Sequence, residues 1–165
     1  MTFRFRAAVA VALAGVLPSC GNVITTDIIG RTAVASDGTG RPVVLVAVCS
    51  GGVDEVRVVE GREGLASSER NPEVATLASS DLQTGLVTIN VADPEPPWMG
   101  LAAPSRLTRD TLYIASASWS GHDAATSQVS FVGRQLAGLA DDAVLVGRGE
   151  ALPRDAFAEA TCTDN

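Results

Sequence analysis

The run at residues 43–49, Val-Val-Leu-Val-Ala-Val-Cys, sets the strongest constraint on how this chain folds. β-Branched side chains favour extended backbone and pack well on a pleated surface. Successive strand residues point to opposite faces, so an unbroken apolar run needs cover on both sides and belongs in the middle of a sheet. Ser50-Gly51-Gly52 interrupts it. After the interruption Val56 and Val58 alternate with Glu55 and Arg57, the pattern of a strand with one wet face. Residues 32–36 form another candidate strand, joined to the run through the turn residues Asp37-Gly38-Thr39-Gly40 and Pro42. These three strands are expected to be neighbours.

The remainder reads as short strands separated by turns. Residues 61–81 are polar and suggest a loop with one short strand or helical turn near 73–78, whereas residues 84–91 alternate, with Val87, Ile89 and Val91 on one face. Residues 92–105 carry Pro94, Pro96, Pro97 and Pro104, which remove backbone donors and exclude a central strand. A long strand is expected within 106–119, with its buried face ambiguous. Then come a turn over 120–127, a strand over 128–132 with Val129 and Phe131 inward, a connecting turn or single helical turn over 135–141 and a buried strand over 143–147. Residues 152–162 read as a short helix, with Pro153 set for its first turn and Asp155 near its positive end. The expected class is all-β: an antiparallel two-sheet sandwich of about seven or eight strands with a short C-terminal helix. A partly open β-barrel is the alternative.

Length and charge narrow the function. The 165 residues suit one domain, and with aromatics at only 4% the core must come chiefly from Val, Leu, Ile and Ala. The formal charge of −7 argues against nucleic acid, which attracts clustered Lys and Arg. The chain has no lysine and is rich in Ala, Val, Gly and Arg, a composition typical of a high-GC bacterium.

The first 20 residues carry the clearest address. Arg4 and Arg6 precede an apolar run over 7–17 that Pro18 closes, giving the charged and apolar regions of a secretory signal. The run is shorter than the about 20 residues a transmembrane helix needs. Its end, Leu17-Pro18-Ser19-Cys20, resembles the lipobox of bacterial lipoproteins of the high-GC Gram-positive type. The resemblance implies cleavage after Ser19, a diacylglyceryl group on the Cys20 thiol, and a cell-membrane, lipid-anchored protein on the extracytoplasmic face. The implied organisation is a signal peptide over 1–19, a lipidated tether over 20–30 and a β-sandwich domain over 31–165. With Cys20 assigned to lipid by that resemblance, Cys49 and Cys162 remain. Outside the membrane an even pair reads as a disulfide, two buried thiols being the alternative. The closing pattern of a buried strand, Pro153, Asp155, Phe157 and Cys162 resembles the ends of small secreted lipoproteins and implies no activity.

No motif supplies catalysis. His122 is the sole histidine and stands in Trp119-Ser120-Gly121-His122-Asp123. Hydrolase triads gather Ser, His and Asp from separate segments, so adjacency in a turn does not make one, and no G-x-S-x-G elbow surrounds Ser120. An envelope hydrolase using Ser120, His122 and Asp123 remains the enzymatic alternative to a non-enzymatic binding or accessory module. Metal and cofactor sites are not expected. One histidine and dispersed cysteines do not make a zinc set, neither Asp54-Glu55 nor Asp141-Asp142 sits in a calcium loop, and Gly147-Arg148-Gly149 lacks a phosphate-loop pattern. The candidate partner contact is Trp98, Met99 and Leu101 in the proline-stiffened loop, facing an envelope protein or glycan. The competing reading folds Trp98 and Leu101 back over the end of the sandwich. Carriage of a small apolar ligand is a third reading and requires a cavity.

Overall fold

A computed structural model describes residues 26–160; residues 1–25, with the leader and Cys20, and 161–165, with Cys162, lie outside the described residues. The chain is mostly β. In order it forms β1 (Asp27–Ser36), β2 (Pro42–Glu60), β3 (Glu73–Asn90), β4 (Trp98–Leu101), β5 (Leu112–Trp119), β6 (Ala124–Ser127), β7 (Val129–Val132), α1 (Gly133–Ala137), β8 (Ala143–Val146), β9 (Glu150–Pro153) and α2 (Arg154–Ala160). β1 begins inside the stretch expected to be tether.

Four strands close on themselves. β2 pairs antiparallel with β1 and with β5, β5 pairs antiparallel with β6, and β6 pairs parallel with β1. One circuit of this ring contains three antiparallel steps and one parallel step, which leaves the chain direction reversed. The ring closes through a bend in β2, different parts of which serve its two neighbours. Its residues 42–48 run against β1, its residues 55–60 run against β5, and the register breaks between Val48 and Val53. Gly51, at φ +63°, makes the corner, and a Cβ on Gly52 would fall 2.3 Å from the Leu82 side chain packed over it. Ser50-Gly51-Gly52 is thus a corner within one long strand, not the end of a strand as the sequence suggested. β3 follows β2 around the corner, its register breaking between Gln83 and Ala78. This joins the expected strand at 84–91 to the uncertain segment at 73–78.

The expected two-sided burial of residues 43–49 holds for Val43–Val48, while Cys49 is half-buried. Val44, Val46 and Val48 face the main core with Val56, Val58, Leu77 and Phe131. Val43, Leu45 and Ala47 face a second core completed by Ala33, Ala35, Val144 and Phe157 of α2. Val56 and Val58 are buried beside exposed Arg57, as their alternation implied. The ambiguous face of β5 resolves to Tyr113, Ala115 and Ala117 inward, with Leu112 outside. Two buried threonines sit where β1 meets β6. Thr32 and Thr126 share a hydroxyl hydrogen bond, while Thr126 Oγ1 also accepts from Ala117 N (3.0 Å) and donates to Ala117 O (3.2 Å). Pro153 closes β9, so the C-terminal helix starts two residues later than expected, at Arg154.

Candidate functional site

The two ends of β1 carry different polar chemistry. At the β1 amino end, Thr26 Oγ1 donates to Asp123 Oδ1 (3.0 Å) and Asp27 N donates to Asp123 O (2.8 Å). Asp54, just past the β2 corner, accepts from Ser120 N and from Ser120 Oγ, both at 2.6 Å. The His122 ring stacks on Trp119 with centroids 3.9 Å apart. Ser120, His122 and Asp123 therefore share an exposed turn without forming a relay: the serine hydroxyl points to Asp54, the imidazole lies on an indole, and Asp123 ties down the start of β1.

The other end holds a cleft of about 380 Å³. Its first wall is the turn after β1. The Asp37 carboxylate accepts from Thr39 Oγ1 (2.7 Å), Thr39 N (2.9 Å), Arg41 N (3.1 Å) and Arg41 Nε (2.7 Å). The Thr39 hydroxyl, the two amides and the Arg41 guanidinium hold its pKa well below the ordinary carboxylate range, against a smaller opposing contribution from burial. Gly38 and Gly40, at φ +81° and +88°, let the turn close around that carboxylate.

The second wall is the loop carrying Arg106, Leu107 and Arg109. It is mounted on buried structure. Thr108 N donates to the hydroxyl of buried Tyr113 (2.9 Å), and Arg134 N at the start of α1 donates to Arg109 O (2.8 Å). A Cβ on Gly133 would lie 2.2 Å from Thr108 O, so only glycine lets α1 approach this closely. Leu107, Ala137 and Leu139 give the cleft an apolar side over buried Leu136, and Asp141 also lines it. Asp37 is taken up by its turn and Asp110 by Arg134 (2.6 Å), whereas the Arg106 and Arg109 side chains make no hydrogen bond or ion pair with a described residue.

The candidate contact in the proline loop divides. Trp98 is only 6% exposed and belongs to the main core, so it is not the surface anchor expected from sequence. The reason is that residues 98–101 pair with β3 as an edge strand, which turns Trp98 inward. Met99 and Leu101 are 68% and 52% exposed on that edge strand, so Leu101 does not fold back as a cover. Cys49 lies on the same face of β2 as Leu45 and Ala47, while Cys20 and Cys162 are outside the described residues. Sequence reading missed Arg106 and Arg109. The available signal was two arginines three residues apart beside Leu107, in a loop that no charged neighbour in sequence fully balances. No group of three or more His, Cys, Asp or Glu able to hold a metal occurs among the described residues, and no helix among them is long and apolar enough to cross a membrane. No family model, curated protein or solved structure matches the chain.

Proposed function

We propose that this chain is a membrane-anchored extracytoplasmic lipoprotein whose folded part is a non-enzymatic binding or accessory module at the cell envelope. The observation that carries the reading is the closeness of the fold to the lipobox-like cysteine: Thr26 is already hydrogen-bonded into the domain and Asp27 already pairs with β6. Six residue steps separate Cys20 from Thr26, a reach of about 20 Å at full extension. Acylated Cys20 then holds the β1 amino end next to the bilayer. Two acyl chains give the stable attachment that one does not.

The finer architecture fits a two-sheet sandwich. It is supported by the corner that β2 and β3 share, since strands bent in this way can supply both layers around the main core. A Cys49–Cys162 disulfide is part of this reading. Phe157 of α2 packs in one cluster with Leu45 and Ala47, Cys49 is the next residue on that face, and Cys162 follows Phe157 by five positions. Such a bridge closes a long loop and contributes about 3–5 kcal/mol in the chain-entropy account. The non-enzymatic part is supported by the hydrogen bonds of Ser120 and Asp123, which are spent on holding the turn. The partners are the bilayer through Cys20 and a component of the envelope.

Fractionation of cells making the full chain tests the anchor. Cys20→Ala should abolish labelling by palmitate and shift the protein from membrane to soluble fractions. Unchanged labelling and membrane retention would contradict the reading.

A further inference from the structure

We propose that the cleft at the carboxyl end of β1 binds a small amphiphilic organic anion. Arg106 and Arg109 hold its anionic head, and its aliphatic part lies along Leu107 and Leu139. This deepens the binding-module reading above and rests on it.

Three observations converge on the ligand chemistry. First, the cations are available. In a chain of net charge −7, the nearby acids Asp37 and Asp110 already hold Arg41 and Arg134, while Arg106 and Arg109 have no described partner. An arginine presents a rigid fork of donors suited to a carboxylate or phosphate, and such charge-assisted bonds are the stronger kind. Second, the site is preorganised. Tyr113 fixes the arginine loop from the core, α1 fixes it through Arg109 O, and the Asp37 carboxylate fixes the facing turn, so little ordering remains to be done on binding. Third, the cleft is two-natured and small. Its volume of about 380 Å³ lies at the lower end of small-molecule sites, and aliphatic side chains stand beside the arginines. A bare inorganic anion leaves that apolar side unused, and a neutral apolar molecule leaves both guanidinium groups unanswered.

The test uses the full chain in nonionic detergent, with binding followed by ligand-observed saturation-transfer NMR. The probes are hexanoate, hexyl phosphate, hexanamide, acetate and inorganic phosphate. Hexanoate or hexyl phosphate should bind saturably, and which of them is tighter separates a carboxylate head from a phosphate head. Hexanamide should bind about tenfold or more weakly, as expected when charge-assisted bonds are lost. Acetate and inorganic phosphate should bind more weakly than the six-carbon probes with the same head. Arg106→Gln with Arg109→Gln should weaken the tighter probe by a similar factor while leaving the urea midpoint unchanged, because both side chains are exposed. Absence of saturable binding by both six-carbon anions, equal binding of hexanamide, equal binding of the short anions, or full binding by the double variant would overturn the proposal. Cys20→Ala protein separates this proposal from the anchoring reading. Loss of the anchor with probe binding intact defeats only the anchor, and an intact anchor without probe binding defeats only the cleft.

Discussion

The two ends of β1 are at most about 30 Å apart, since its ten residues make nine rises of about 3.3 Å. At the amino end, Thr26, Asp54, Ser120 and Asp123 answer one another's hydrogen-bonding needs. At the carboxyl end Asp37 and Asp110 are likewise engaged, but two arginines are left over beside an apolar wall. The two clusters differ in whether their polar groups are answered. Ser, His and Asp in one turn draw the eye because the residue types are those of a hydrolase, yet their partners make them a clasp. The opposite cluster has no familiar motif and retains unanswered charge.

On this account substitutions near the clasp cost stability, and substitutions in the arginine loop cost binding. The largest effect should come from Gly30→Val where β1 crosses β2, because a Cβ there would lie 2.2 Å from Ala47 O. Urea unfolding should show a loss of about 3 kcal/mol, the upper range for forced overpacking; an unchanged midpoint would mean that β1 does not lie against β2 as described. Thr126→Val comes next. It strands buried Thr32 and removes both bonds to Ala117, at a cost of about 2 kcal/mol. A neutral result would show that the closure of β6 on β1 does not depend on that hydroxyl.

Asp54→Ala should cost about 1 kcal/mol, since its bonds to Ser120 lie at the exposed surface. Double-mutant coupling with Ser120→Ala is the check, and additive losses would break the clasp interpretation. The smallest effect, and a pH-dependent one, belongs to Asp37→Asn. In the fold the Asp37 pKa is lowered from 3.8, so its ionised form is favoured by folding. The stability it contributes is complete above the unfolded-state value and is lost as pH falls through the depressed folded value. The Asn variant should therefore trail the natural chain at pH 7 and converge with it in strong acid. A gap that widens on acidification has the wrong sign.

How far the sequence reveals this arrangement depends on the range of the interactions involved. Two-sided burial at residues 43–48 and the alternation at Val56 and Val58 are local patterns, and both are legible in the order of the residues alone. The four prolines correctly keep residues 92–105 out of the sheet centre, where only the edge strand β4 forms. The corner in β2 is not visible, because Gly51-Gly52 has the composition of a hairpin turn and only the pairing of β1 and β5 along one strand requires a bend. The inward turn of Trp98 is hidden for a similar reason: pairing with β3, not its own prolines, decides which way it faces. The cleft depends most on distant contacts. Residues near 38, 107 and 139 have no pattern in common along the chain and meet only when the barrel closes.

Amide hydrogen exchange on the full chain in phosphatidylcholine vesicles, with and without saturating hexanoate or hexyl phosphate, compares both ends in one measurement. Added protection should be confined to residues 36–40, 106–109 and 133–141, with exchange at 119–123 unchanged. Protection at 119–123, or none at the arginine loop, would contradict it.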